Sequence, residues 1–282
     1  MPPDPRLAAR LIADCLIAEG QEWVPLTGGQ TNRLWRVGDA VVKCFAAGND
    51  NPRFPNDPAQ EAAVLQHLQG SGVAQTLRGQ VHHAGQTFLV FSHLEGNCWH
   101  SDTAQVARLL RRVHAVSPLA GMRRQLGGSA AIRRQVQEIL PQLPTNMASR
   151  LYAARPQSGA VPPTQECALL HGDPVPGNIL ETPSGLRLID WQCPAVGDRT
   201  EDLALFLSPA MQLVYRGSPL EQVEIDAFAA AYGDAHTIER MRAMQPWHHW
   251  AMAAYCAWKA SRGSKIYERA TELELTALEQ NM

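Results

Sequence analysis

Three oxygen-bearing side chains fall close together in the stretch Leu169–Leu207, LLHGDPVPGNILETPSGLRLIDWQCPAVGDRTEDLALFL. Asp173 lies in a loop rich in Gly and Pro. Asn178 enters a short apolar strand, Asn178-Ile179-Leu180, and Asp190 ends a second one, Leu186–Ile189. Between the strands, Thr182-Pro183-Ser184-Gly185 has turn chemistry. A hairpin brings its two outer ends together, which predicts Asn178 and Asp190 as neighbours. An amide oxygen beside a carboxylate suits Mg2+, a hard cation that takes oxygen ligands and usually keeps some waters. Asp173 then offers a second carboxylate, free to accept a proton from a hydroxyl. Any one of the three alone reads as a cap or turn residue. At this spacing the set reads as a site for metal-assisted chemistry on an alcohol.

The pattern H-G-D-x-x-x-x-N, followed by I-D-W and then G-D-x-x-x-D-L-A, resembles the aminoglycoside phosphotransferase and choline kinase superfamily, relatives of the protein kinases. The resemblance implies a two-lobed α+β fold, with a small antiparallel-sheet lobe (residues 1–95) and a larger helical lobe (96–282) that carries the catalytic loop and the hairpin. It implies ATP and Mg2+ as cofactors, Asp173 as the catalytic residue, and Asn178 and Asp190 as metal ligands. Asp202, in the D-L-A element, resembles the helical aspartate that braces the catalytic loop, and His171 and Asp198 read as architectural.

Such a kinase needs a strand lysine for the α and β phosphates, held by a glutamate on the next helix. Val41-Val42-Lys43-Cys44-Phe45 puts Lys43 mid-strand on the face of Val41 and Phe45, where an unpaired lysine is an unfavourable occupant. Glu61, Val64, Leu65 and Leu68 fall at i, i+3, i+4 and i+7, so Glu61 lies on the inward stripe of its helix. Thr27-Gly28-Gly29-Gln30-Thr31-Asn32 resembles the loop over the ATP phosphates, with Gly28, Gly29, Thr31 and Asn32 as nucleotide contacts. It departs from G-x-G-x-x-G in having two glycines. Phe88–Phe91 and His93–Gly96 stand where the hinge between lobes is expected.

The elements that must position these groups are partly legible. Leu7, Leu11 and Leu16 recur near helical spacing after Pro5, with Gly20 as a stop. Arg33–Val37 and Ala40–Phe45 flank a two-residue Gly38-Asp39 connection, a hairpin signal. Asp57-Pro58 opens a helix in N-cap and N1 order, which Gly70 ends. Thr87–Phe91 reads as a strand, Ala104–His114 and Ile132–Leu140 as helices, and Ala153–Glu166 as a loop.

Composition narrows the function classes. The 282 residues carry a formal charge of −2 and are 45% hydrophobic, which fits a folded chain and excludes the basic face of an electrostatic nucleic-acid binder. Met1–Arg10 has no apolar core of a signal peptide, and the longest apolar run, Trp250–Trp258, is half a membrane span. Six cysteines stand singly with no C-x-x-C, so reduced thiols and a cytoplasmic location are expected. No G-x-x-x-x-G-K-[ST] and no G-x-S-x-G occurs, which sets aside P-loop kinases and serine hydrolases.

The expected reaction is transfer of the γ-phosphoryl of Mg·ATP to a hydroxyl of a small molecule, with no nucleic-acid or membrane partner. Trp247, Trp250 and Trp258, with Tyr255, share one side of a helix. They read first as core packing, and otherwise as a cage for a cation such as choline or thiamine. The loop T-G-G-x-T-N-R also resembles the choline and thiamine kinase branches more than the antibiotic-modifying one, which implies a choline- or thiamine-type acceptor. An aminoglycoside-type acceptor, or a nucleotide-binding regulator without turnover, is the alternative.

Overall fold

The structure is a computed structural model and describes residues 4–26, 31–45, 51–125, 127–157 and 159–281. The fold is α+β and two-lobed. The chain clusters into one compact unit of residues 1–51, 55–97 and 180–193, and another of 52–54, 98–179 and 194–282. Among the described residues no helix is long and apolar enough to cross a membrane. All six cysteines are free thiols.

The first unit opens with α1 (Pro5–Ala13). The carboxylate of its N-cap Asp4 accepts the Arg6 N–H at 2.8 Å, and Pro5 stands at the first helical position. The helix stops well before Gly20, because Cys15 turns into a left-handed φ of 56°. A five-stranded antiparallel sheet follows, in the order β1 (Trp23–Leu26), β2 (Arg33–Val37), β3 (Ala40–Cys44), β5 (Gln86–Ser92) and β4 (Leu77–His83). The β2–β3 turn is Gly38-Asp39, with Gly38 at φ 60°, the type II′ arrangement that matches strand twist.

β3 is central and buried on both faces, so its period of two sorts side chains between two layers. Ala40, Val42 and Cys44 join Leu7, Leu11, Trp23, Trp35 and Val90 in the core under α1. Burying each large side chain of such a core contributes about 1.5–3 kcal/mol. Lys43 points the other way, toward α2 (Pro58–His67). Asp57 caps α2 by accepting the N–H groups of Ala59 and Gln60 at 2.9 and 3.1 Å.

The β4–β5 hairpin turns at Ala84-Gly85, both with positive φ. The edge strand β4 carries Gly79, where a Cβ would approach the Leu16 side chain to 2.7 Å. Further along, β9 (Ile179–Thr182) and β10 (Gly185–Leu188) form a hairpin in a small sheet of order β10-β9-β6, where β6 is Asn97–Cys98. Assigned to the larger lobe from sequence, this hairpin clusters from Leu180 to Cys193 with the first unit.

The second unit is mainly helical. α3 (Thr103–His114) packs on α8 (Gln222–Tyr232), while α4 (Ser129–Ile139), α6 (Thr200–Leu207) and α10 (Ile266–Gln280) pack on the 26-residue α9 (Ala235–Ala260). α5 (Thr145–Ala153) also meets α9, and α7 (Pro209–Arg216) meets α10. Every residue from Trp247 to Trp258 is buried, as expected of a helix apolar on all sides. A three-stranded sheet in the order β7 (Arg124–Gln125), β11 (Ala195–Gly197) and β8 (Ala168–Leu170) completes this unit. β8 leads directly into His171-Gly172-Asp173.

Candidate active site

In the first unit, the alternation of β3 and the inward stripe of α2 aim two opposite charges at each other. Lys43 Nζ lies 2.6 Å from Glu61 Oε2, with side chains 1% and 0% exposed. The same ammonium lies 2.5 Å from Asp190 Oδ1 and 4.8 Å from the centre of the Phe45 ring. Burial alone would push the lysine pKa down, but the Asp190 and Glu61 carboxylates outweigh it and hold it above its ordinary value. Burial raises the Glu61 carboxyl, against the opposing pull of Lys43. Lys43 is therefore a charged, fully directed donor at neutral pH, with two carboxylates for one ammonium.

Asp190 comes after β10 in a left-handed conformation, φ 62°, a region that Asp tolerates better than most residues. Trp191 next to it is wholly buried and donates its Nε1–H to the Leu188 carbonyl at 3.2 Å. Gln192 then joins an amide cluster: Asn32 Nδ2 donates to Asn56 Oδ1 and to Gln192 Oε1, each at 2.8 Å, and Asn56 Nδ2 returns a bond to Asn32 Oδ1 at 3.0 Å. Asn32 thus ties the end of the glycine-containing loop to the segment carrying Asp190. Thr31 is half-buried beside it, whereas Gly28 and Gly29 lie outside the described residues.

In the second unit, Asp202 of α6 organises the loop after β8. Its two carboxylate oxygens accept the backbone N–H groups of His171 and Gly172 at 2.8 and 2.9 Å. His114 Nε2 lies 3.2 Å from Asp202 Oδ2, and His114 Nδ1 lies 2.9 Å from the Tyr232 hydroxyl. A carboxylate only accepts, so Nε2 carries a proton toward Asp202. Burial alone would raise the Asp202 carboxyl, yet the His114 ring and the loop N–H of Gly172 hold it below its ordinary value. Burial also pushes the Tyr232 hydroxyl up, keeping it a donor.

Within that loop, Asn178 Nδ2 donates to the Asp173 carbonyl at 2.9 Å and to Asp173 Oδ2 at 3.2 Å. Asn178 sits in a 3-10 turn, Pro176–Asn178, just before β9 rather than inside the strand. Because its NH2 is spent on Asp173, Oδ1 is the atom it presents elsewhere. Asp190 likewise has Oδ1 on Lys43 and Oδ2 left over, on a side chain one-third exposed. Both spare atoms are hard oxygen donors, so the donor chemistry fits Mg2+.

The sequence-derived residues therefore assemble as two groups, Lys43 with Glu61 and Asp190 in the first unit, and Asp173 with Asn178 in the second. Among the described residues no group of three His, Cys, Asp or Glu side chains is arranged to hold a metal. The aromatic stripe of α9 is core: Trp247, Trp250 and Trp258 donate their indole N–H groups to Gly159 O, Leu151 O and Gln142 Oε1, at 3.0, 2.7 and 2.9 Å. Sequence reasoning missed His114, Tyr232, Asn56 and Gln192. Only His114 left a trace, as a polar residue on the inward stripe of α3.

A family model described as the phosphotransferase enzyme family matches residues 22–247. The chain belongs to this family and is a small-molecule phosphotransferase. It is 32% identical over 210 residues to a probable ketoamine kinase of Thermus thermophilus, an alignment covering 67% of this chain and 73% of the relative. Its fold matches that of a choline/ethanolamine kinase family protein from Mesorhizobium loti with TM-score 0.66 at 15% identity, over 98% and 94% of the two chains. It also matches the choline kinase LicA from Streptococcus pneumoniae, TM-score 0.63 at 16% identity, over 98% of each chain. A GDP complex of aminoglycoside 2'-phosphotransferase-IIIa gives TM-score 0.64 at 14% identity, over 98% and 99%.

Proposed function

We propose that the chain transfers the γ-phosphoryl group of Mg·ATP to a hydroxyl of a small alcohol that also bears an amine, with a ketoamine as the first candidate. The observation that carries the phosphoryl-transfer reading is Lys43, buried to 1% exposure and held between Glu61 and Asp190. Burying an ammonium is unfavourable unless it is paired, and this pairing aims it where phosphate charge would be neutralised. Lys43 would hold the α and β phosphates, with Glu61 fixing its direction.

Asp190 and Asn178 would hold Mg2+, which supplies neutralisation of the phosphate charge when bound. Asp173 would orient the acceptor and take its proton. The acceptor oxygen forms a bond to the γ phosphorus, the bond from that phosphorus to ADP breaks, and the hydroxyl proton passes to the Asp173 carboxylate.

The acceptor class rests on the 32% identity to the probable ketoamine kinase. The α9 tryptophans give no support to a choline- or thiamine-type acceptor, since they are buried and their faces are used. Arg262 lies 3.9 Å over Trp258 and Arg133 lies 5.7 Å over Trp247.

The test is ADP release from Mg·ATP with a ketoamine, ethanolamine, choline, thiamine and kanamycin, each beside the Asp173→Asn variant. The expected result is Asp173-dependent turnover, highest with the ketoamine. ADP release that never exceeds the variant's, with nucleotide still bound, would replace the enzyme reading with that of a nucleotide-binding regulator.

A further inference from the structure

The turn that carries Asn178 contains a glycine whose role is to leave space. Gly177 sits in the middle of Pro176–Asn178, and its φ is not positive, so torsion does not call for glycine there. A Cβ at this position would instead lie 2.6 Å from Tyr215 Cδ1 and 3.1 Å from Tyr215 Cε1. Carbon atoms pack at roughly 3.5–4.0 Å, so a side chain at 177 and this ring exclude each other. One edge of the Tyr215 ring therefore rests on the Gly177 backbone, next to the residue whose amide bonds Asp173.

Tyr215 is delivered by a helix held at both ends. At the start of α7, Ser208 Oγ accepts the Met211 N–H at 3.1 Å. The buried Glu274 carboxylate of α10 takes the Ser208 hydroxyl, and also the Ala210 N–H at 3.1 Å. At the other end, Arg216 pairs with Glu224 of α8 at 2.7 Å and donates to the Pro219 carbonyl at 2.7 Å, before Gly217 closes the helix at φ 95°. Sliding α7 would break these bonds, two of them to a wholly buried carboxylate. The turn it meets is short. Val175 and Pro176 are buried, and the Asn178 N–H bonds the Val175 carbonyl at 2.8 Å. Gly177, with no side chain of its own, has the ring against it. Tyr215 remains 37% exposed, so shortening it removes this contact without opening the core.

Building on the phosphotransferase reading, we propose that Tyr215 is a positioning residue for that reaction. Its ring, seated on Gly177, sets the Pro176–Asn178 turn. The turn in turn sets the direction in which Asn178 offers Oδ1 to Mg2+ while its NH2 stays on Asp173. Groups that orient a metal ligand from behind it typically carry about 10–100-fold in metal affinity or activity. The aromatic edge and the missing side chain are thus one device, a rigid helix pressing on a bare stretch of backbone.

The experiment measures Mn2+ binding to the protein–ADP complex by electron paramagnetic resonance, with metal-free ADP affinity and melting temperature measured beside it. In Tyr215→Ala and in Gly177→Ala, Mn2+ affinity is expected to fall about 10-fold while metal-free ADP affinity is held. Tyr215→Phe keeps the ring edge and should bind Mn2+ as the parent does. Combining Gly177→Ala with Tyr215→Ala gives the new methyl the room of the lost ring, so the double variant should bind Mn2+ more tightly than Gly177→Ala alone. Unchanged Mn2+ affinity in Tyr215→Ala overturns the assignment, whether or not Gly177→Ala folds. So does a Tyr215→Ala protein whose metal-free ADP affinity and melting temperature fall together with Mn2+ affinity, since the contact is then framework alone. A Tyr215→Phe loss equal to that of Tyr215→Ala, or single losses that multiply in the double variant, overturns it as well. Each of these outcomes leaves the phosphotransferase reading standing. A parent protein that binds ADP but no Mn2+ overturns the metal site of that reading, and the role of Tyr215 with it.

Discussion

The two units hold their key acids by different means. In the first, Glu61 and Asp190 are fixed by a single buried ammonium, charge against charge. In the second, Asp202 is fixed by two backbone N–H groups and the His114 ring, and it shapes a loop. A charge-held cluster is only as stable as its least replaceable partner. A backbone-held loop keeps its shape when the side chain it displays is changed. The contrast predicts that damage to the first group will show in stability and nucleotide affinity together, and damage at Asp173 in rate alone.

The largest expected effect is on rate. Asp173→Asn should lower turnover by ~10²–10⁴-fold, as removal of a general base does, while the melting temperature stays near that of the parent because Asp202 still holds the loop. A large fall in melting temperature would place Asp173 in the framework and remove the contrast. Next comes Glu61→Ala, which leaves a buried charge short of a partner and should cost about 3–5 kcal/mol in urea unfolding, with a weaker KM for ATP. Adding Lys43→Met to it should recover part of that stability, since removing both charges is less costly than stranding one. Additive losses would show that the pair is not energetically coupled.

A smaller effect comes from pH. Burial first, against the pull of Arg53, raises the Glu201 carboxyl from 4.5 to about 7. The unfolded chain releases that proton near 4.5, so folding loses stability as pH rises from there through about 7. Asp202 has the opposite sign, since its lowered pKa gives stability that is lost only when pH falls through that lowered value. Urea midpoints of wild type and Glu201→Gln should therefore draw apart in favour of the variant across pH 4.5–7 and run parallel above it. Parallel curves throughout would mean that Glu201 is not buried as a charge. The smallest effect is Asn32→Ala, expected to cost about 1–3 kcal/mol by leaving buried amide partners unpaired. It should also weaken ATP binding if the amide cluster positions the Asp190 segment, a shift readable by calorimetry.

What the sequence made legible was whatever local rules decide. Gly38-Asp39 marked one hairpin and Asp57-Pro58 marked the start of α2, and the structure has both. Lys43 and Glu61 could be paired because a period of two and a period of 3.6 each put a charge on an inward face. β4 was missed because its turn, Ala84-Gly85, lacks the Asn or Asp that usually announces two positive φ values, and because an edge strand with Gly79 and few apolar residues has little pattern. The expected place of Asn178 inside a strand came from treating the hairpin as an isolated ribbon. Asn178 instead belongs to the turn before β9 and bonds Asp173. His114, Tyr232 and Gln192 act through partners at least 88 residues away in the chain, which no local pattern reports.

The left-handed backbone of Asp190 restricts which replacements can be read cleanly. Alanine there would add conformational strain of roughly 1–2 kcal/mol to the loss of the carboxylate, mixing two causes in one measurement. Glycine would relax the turn and loosen the Trp191-Gln192 segment beyond it. Asparagine alone keeps the side chain's size and tolerates the same torsion while deleting the charge, so an Asp190→Asn protein isolates electrostatics from shape. The position is thereby limited to a very short alphabet, in which only one letter brings a negative oxygen.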